Sequence, residues 1–277
     1  MAKALGLIGN FKGKLGNTVG YSLKDSNNKQ TQGVRVYQPV VRNPKTAAQA
    51  EQRAKLAPIN ATYRALKMVI DRGQEGQAYG NKSRLAWLSA AMMAFNGGWF
   101  VKGAAINMPA LVPLTKGSLP ILFTQTINAP SPTIKLSSAP GTTPTTIGAL
   151  SEILMAQFTG LKEQDQITFV AITPVNGNMI TDVVSLLVDP SSTNALPNGI
   201  NIIGTNVMMQ IQDGESAANA VILSREGSNG THLRSTTELT RGSAYSAAVL
   251  GEDAKKAAIE SYMSQGANTY WAEESLI

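Results

Sequence analysis

The stretch GNFKGKLGNTVGYSLKD, residues 9–25, decides between two kinds of fold. Gly9, Gly13, Gly16 and Gly20 recur with lysines between them. They belong either to a loop that cradles phosphate in an α/β protein or to a glycine-punctuated β-hairpin. A phosphate loop requires G-x-x-x-x-G-K-[ST], and a dinucleotide fingerprint requires G-x-G-x-x-G between a strand and a helix. Neither spacing is present, no strand precedes the glycines, and the residues that follow alternate as a strand does. The hairpin reading is therefore preferred, with Gly13, Gly16 and Gly20 at bulges or close backbone approaches.

The first predicted strand is NTVGYSLK, 17–24, with Val19, Tyr21 and Leu23 on one face. The second is GVRVYQPVV, 33–41, where Val34 and Val36 alternate with Arg35 and Tyr37. DSNNKQTQ forms the turn between them, and Pro39 ends the pairing. A lone hairpin is marginal in water, so this one needs a partner in its own chain or another. Val19, Tyr21, Leu23, Val34, Val36 and Tyr37 are the expected subunit-interface residues, joined by Trp271 of the C-terminal tail.

Two helical patterns come next. Asn43 and Pro44 fit an N-cap and first helical position, and Thr46 with Gln49 offers a capping box slightly later. Ala47, Ala50, Ala54 and Ala57 form a slim face, Pro58 is expected to kink or interrupt it, and Ile59, Tyr63, Leu66 and Ile70 resume it. Over 82–95 the stripe is Leu85, Leu88, Met92 and Phe95, with Trp87 beside it. From residue 119 short strands dominate: ITFVAITPV, DVVSLLVD, INIIGTNVMMQIQ, ANAVILSRE and SAYSAAVL, separated by Gly, Asn, Pro and Asp turns. SAPGTTPTTIG, 138–148, reads as a loop. The fold class is α+β, mainly β: a hairpin arm over 1–42, a basic helical region and connector over 43–118, an antiparallel β-sandwich over 119–250, and a helical tail over 251–277.

Charge is unevenly spread along the 277 residues. The net charge of +6 divides into +11 over 1–84 and −5 over 85–277. The basic front faces either a polyanion or the acidic rear of a neighbouring subunit. Lys12, Lys14, Arg53, Lys55, Arg64, Lys67 and Arg72 are the candidate phosphate contacts, and no helix-turn-helix, zinc-finger or RNA-recognition motif accompanies them. Any such contact would neutralise charge without reading sequence.

Chemistry finds little support. The absence of cysteine excludes disulfides and thiolate chemistry. The only histidine, His232, lies in a turn-like GSNGTHLRS with no triad signal around it. Glu163/Asp165 and Glu273/Glu274 read as solvated surface rather than cation ligands. No catalytic residue, cofactor, metal, membrane partner or small-molecule substrate is expected. The N-terminus has too short an apolar run for a signal peptide, and no stretch reaches the roughly 18 apolar residues of a membrane span.

Several segments together resemble a family without assigned activity that is common in Bacteroidota and their phages. Its pattern is G-K-x-G-x-x-V-G, an arginine, N-P-x-T-x-x-Q-x-x-Q-R-x-K, and later [ST]-[KR]-G-x-L. Here those positions are Gly13, Lys14, Gly16, Val19, Gly20, Arg35, Asn43, Pro44, Thr46, Gln49, Gln52, Arg53 and Lys55, then Lys116, Gly117 and Leu119. Ser224, Arg225, Arg234, Ser235 and Thr236 match its closing strands, while the longer β region and extra C-terminal helix depart from it. The resemblance implies an N-terminal hairpin and helix before an immunoglobulin-like β domain, and no enzyme activity. It leads to an expected role as a phage virion subunit, capsid or coat, assembled in the host cytoplasm through self-contacts of the arm. The alternative is sequence-independent nucleic-acid binding by the basic front.

Overall fold

The computed structural model describes residues 13–24, 30–37, 46–94, 99–101, 113–175, 178–211, 214–227, 231–245 and 251–263. Contacts divide the chain into two compact units, Met1–Lys45 and Thr46–Ile277.

The first unit holds a three-stranded antiparallel sheet of β1 (Gly13–Leu15), β2 (Thr18–Lys24) and β3 (Gln30–Val36). The expected hairpin thus acquires a third strand from within the glycine stretch. Gly16 and Asn17 form the two-residue turn between β1 and β2. Gly16 has φ +57° while Asn17 stays out of the positive region, the arrangement of a type II′ turn. Thr18 Oγ1 donates to the Leu15 carbonyl at 2.8 Å and braces it. The second strand also shifts: it begins at Gln30 and stops at Val36, so residues 30–32 belong to the sheet rather than the turn. Tyr37 follows it and donates its N–H to the Asn17 carbonyl. Pro39, Asn43, Pro44, Lys12 and Trp271 lie outside the described residues.

The second unit opens with α1 (Ala47–Ala65), capped by Thr46, whose hydroxyl accepts from the Gln49 N–H. The later of the two capping options is the one used. Pro58 does not interrupt α1. It lies buried on the same side as Ala50, Ala54, Ile59 and Thr62, and packing of that face outweighs the one backbone hydrogen bond that proline removes. The short α2 (Lys67–Ile70) and α3 (Asn81–Ala94) follow. On α3 the buried face is Ser83, Trp87 and Ala91, at helical spacing, while Leu85 is exposed. The size of Trp87 sets that rotation; the Leu85, Leu88, Met92 stripe is displaced to its flank, and Phe95 lies outside the described residues.

Next come β4 (Pro113–Thr115), β5 (Thr133–Lys135) and α4 (Ile147–Gln157), a helix that begins within the expected 138–148 loop. Thr146 caps α4 by accepting from the Ala149 N–H. The remaining strands are β6 (Gln166–Val175), β7 (Asn178–Leu187), β8 (Ile200–Ile203), β9 (Asn206–Met209), β10 (Ala218–Glu226), β11 (His232–Arg234), β12 (Thr237–Glu238) and β13 (Thr240–Arg241), before α5 (Glu252–Met263). Residues 243 and 244 are turn and 245 is irregular rather than the start of a strand, and 246–250 lie outside the described residues.

The main sheet runs β11–β10–β6–β7, with β13 also on β10; β5–β9–β8 form a smaller antiparallel sheet. The side chains of β6 divide between two cores. Ile167, Phe169 and Ala171 join Leu186, Val221, Leu223, α4 and the small sheet. Val170 and Ile172 join Ala218, Ala220, Ile222 and the helices, through Ile59, Leu66, Ile70 and Trp87. The chain is α+β, mainly β, with antiparallel sheets. The expected boundary at 118/119 is not a boundary of the fold. The main sheet has one face covered by the N-terminal helices, so residues 46–94 and the strands share a core. The start of the tail joins the same unit: Ala258 and Tyr262 of α5 pack with Ala54 and Trp99.

Candidate functional site

In the arm the register decides what each face presents. Leu15 pairs with Thr18, which pairs with Val36; Gly13 pairs with Gly20, which pairs with Val34. These rows share one face, and Leu15 and Val36 are exposed at 54% and 73%. The opposite face carries the row Lys14–Val19–Arg35 and the pair Tyr21–Gly33. The Tyr21 ring lies so close over Gly33 that a Cβ there would fall 2.5 Å from it. Lys14 Nζ stands 3.8 Å from the centre of the Tyr37 ring. The apolar residues named from sequence are thus split: Val34 and Val36 face one way, Val19 and Tyr21 the other, and Leu23 pairs with Thr31. Among the described residues no strand is hydrogen-bonded to the outer side of β3.

The basic residues of the helices do not form one surface. Lys55 pairs with Glu51 at 2.8 Å, beside Trp99 and Lys255. Lys67 pairs with Asp71, which also accepts from the Tyr63 hydroxyl at 2.8 Å. Arg53 and Arg64 are exposed and make no ion pair among the described residues. Eleven residues apart on α1, they project from nearly the same side of the helix, about 16 Å apart along its axis. Arg72 lies beyond α2, its guanidinium 5.9 Å from the Tyr79 ring.

The late sequence motifs converge. The segment around Lys116, Gly117 and Leu119 meets the segment around Arg234, Ser235 and Thr236 along one seam. Leu119 N–H donates to the Arg234 carbonyl, Thr115 Oγ1 to the Ser235 carbonyl, and Thr236 Oγ1 both accepts from Gly117 N–H and donates to its carbonyl. Ser235 Oγ accepts from Leu223 N–H. A Cβ on Gly117 would stand 2.2 Å from the Arg234 carbonyl oxygen, so only glycine permits this approach. Glu75 closes the seam by accepting from Ser118 N–H at 2.9 Å, Ser118 Oγ at 2.8 Å and Arg234 N–H at 3.0 Å. Burial pushes the Glu75 carboxyl upward, but these hydrogen bonds outweigh it and hold the group below the usual range. No local pattern marks Glu75, because its partners lie 43 and 159 residues away.

Arg225, beside Ser224, forms a second internal lock. Its Nε and Nη2 donate to the two Asp165 oxygens at 2.6 and 2.7 Å, and Nη2 also donates to the Gly160 carbonyl. Asp165 is wholly buried, not the solvated carboxylate expected from its loop-like surroundings. These motif positions are occupied by intramolecular hydrogen bonds that hold strands and loops together.

His232 is exposed at the start of β11, its ring 5.5 Å from that of Tyr79. Among the described residues, no three His, Cys, Asp or Glu side chains converge as metal ligands, and no helix is long and apolar enough to cross a membrane. No protein family, curated protein or solved structure was found to match the chain.

Proposed function

We propose that this protein is a non-enzymatic structural subunit that assembles with copies of itself through the N-terminal arm, as a phage virion component would. The observation that carries this reading is the arm sheet. It combines an outer edge on β3 with two large apolar side chains, Leu15 and Val36, exposed on one cross-strand row. An edge of this kind is a template for another strand, and exposed apolar side chains favour a covering surface. A second copy is the occupant that charge favours, since the basic front complements the acidic remainder of the chain. The capsid or coat assignment rests on the resemblance described above. Low charge and the absence of a recognisable catalytic set agree with a building block.

The test is the mass of the full chain in solution by light scattering, with negative-stain microscopy. The wild-type chain is expected to form large assemblies, and the double change Leu15→Lys, Val36→Lys to shift them to monomers with unchanged circular dichroism. A wild-type chain that remains monomeric at high concentration overturns the proposal.

Exposed Arg53 and Arg64 on one side of α1 favour a second reading, sequence-independent nucleic-acid contact. In that case affinity for a random oligonucleotide falls steeply with salt, and replacing both arginines by alanine lowers the log–log salt slope by about 2. An unchanged slope excludes this helix as the contact.

A further inference from the structure

At the end of the main sheet that meets α2, the helix-facing side turns from apolar to polar. The β register sets Arg234, Ser224 and Gln166 in one row across three strands. The adjoining row brings Thr168 beside Ser185, their hydroxyls 3.1 Å apart. Arg72 closes the far side, where its carbonyl accepts from Arg234 Nε at 3.2 Å. Together with apolar Met68, Val69, Val183 and Ile222 they line a pocket of about 140 Å³. That is several water volumes of about 30 Å³ each, enough for a small oxyanion and too little for a nucleoside.

Arg72 and Arg234 both line this pocket. Neither arginine forms an ion pair with a carboxylate among the described residues. Asp71 is paired with Lys67 and Tyr63, while Glu75, held by Ser118 and the Arg234 backbone, acts on the Arg234 guanidinium through its charge without forming an ion pair. Ser224 is 6% exposed and lines the pocket. Two guanidinium groups and a hydroxyl facing one pocket form a donor set that suits an oxyanion.

We propose that this pocket binds a phosphate group, free or as a small monoester, between Arg72 and Arg234 with the Ser224 hydroxyl as a third donor. Burial also depresses the Arg234 pKa; the Arg72 charge adds to that shift and the Glu75 charge opposes it, so an anion here would offset the repulsion between the two arginines. The lining residues all belong to the second unit, and the proposal does not depend on self-assembly.

The test is calorimetric titration of the full chain with inorganic phosphate in a chloride buffer, with phenyl phosphate and a single-stranded oligonucleotide as competitors. Saturable one-to-one binding is expected, weakened at least about tenfold by Arg72→Ala and several-fold by Ser224→Ala. Arg72 is exposed, so its replacement leaves folding intact, and Lys135→Ala serves as an exposed control with unchanged affinity. Competition by phenyl phosphate assigns the site to monoesters; competition by phosphate alone assigns it to the free ion. The proposal is overturned by no saturation at about 10 mM phosphate, by equal weakening in Lys135→Ala, or by displacement with the oligonucleotide but not the monoester. The last result would place a nucleic-acid backbone there instead.

Discussion

Arg225→Ala is expected to lower the stability of the second unit by about 3–5 kcal/mol, because it leaves the wholly buried Asp165 carboxylate without its counter-charge. Arg225 supplies two hydrogen bonds to Asp165 and one to the Gly160 carbonyl, so three acceptors lose donors at once. Lys162 N–H would remain on Asp165 Oδ2 and cannot neutralise it. In a unit of this size the loss corresponds to a fall in Tm of about 6–20 °C. Arg225→Lys should recover only part of it, since an ammonium cannot span both carboxylate oxygens and the carbonyl in one plane. The double change Arg225→Ala, Asp165→Asn should be less damaging than the sum of the single changes. A loss below about 1 kcal/mol for Arg225→Ala, typical of exposed pairs, would refute a buried lock.

Trp87→Ala is expected to cost about 3–5 kcal/mol, as truncation of a fully buried aromatic does. The ring lies in the core shared by α1, α2, α3 and the β6–β10 part of the main sheet. The damage should therefore reach strands far away in sequence. Helical and sheet signals in circular dichroism should melt together at the lower temperature. Trp87→Phe should cost far less, because it keeps most of the volume and removes an indole N–H that has no hydrogen-bond partner. Separate transitions for helices and strands would contradict a common core.

The parts of the fold that were legible in the sequence are those whose determinants are local. Strands β6, β7 and β10 follow runs of β-branched and aliphatic residues, and the Thr46–Gln49 cap is a four-residue signal. Helix α4 was hidden because IGALSEILMAQ is apolar nearly all round, so a buried helix leaves no polar face to betray its period. Strand β1 was hidden by its length of three residues and by the glycine that begins it. The rotation of α3 depends on which neighbour Trp87 meets, and spacing within the helix does not encode that. The site residues divide in the same way. A basic front is visible as composition, but only three dimensions show that Lys55 and Lys67 are consumed by Glu51 and Asp71. The pocket beside Ser224 draws on Arg72, Gln166, Ser224 and Arg234, residues from four distant segments.

The seam between residues 72–119 and 234–236 also constrains the order in which the chain can fold. Its hydrogen bonds join residues up to 162 positions apart, and β4 has only β12 as a strand partner among the described residues. Closing so large a loop is entropically costly and slow compared with forming a helix or hairpin. During synthesis the N-terminal helices emerge long before the strands that cover Trp87 and Leu114. Until residue 239 has left the ribosome, that half-core has an incomplete lid and needs protection from premature association. A core that closes only once β10 and Leu239 have been made leaves its helices waiting on strands far downstream.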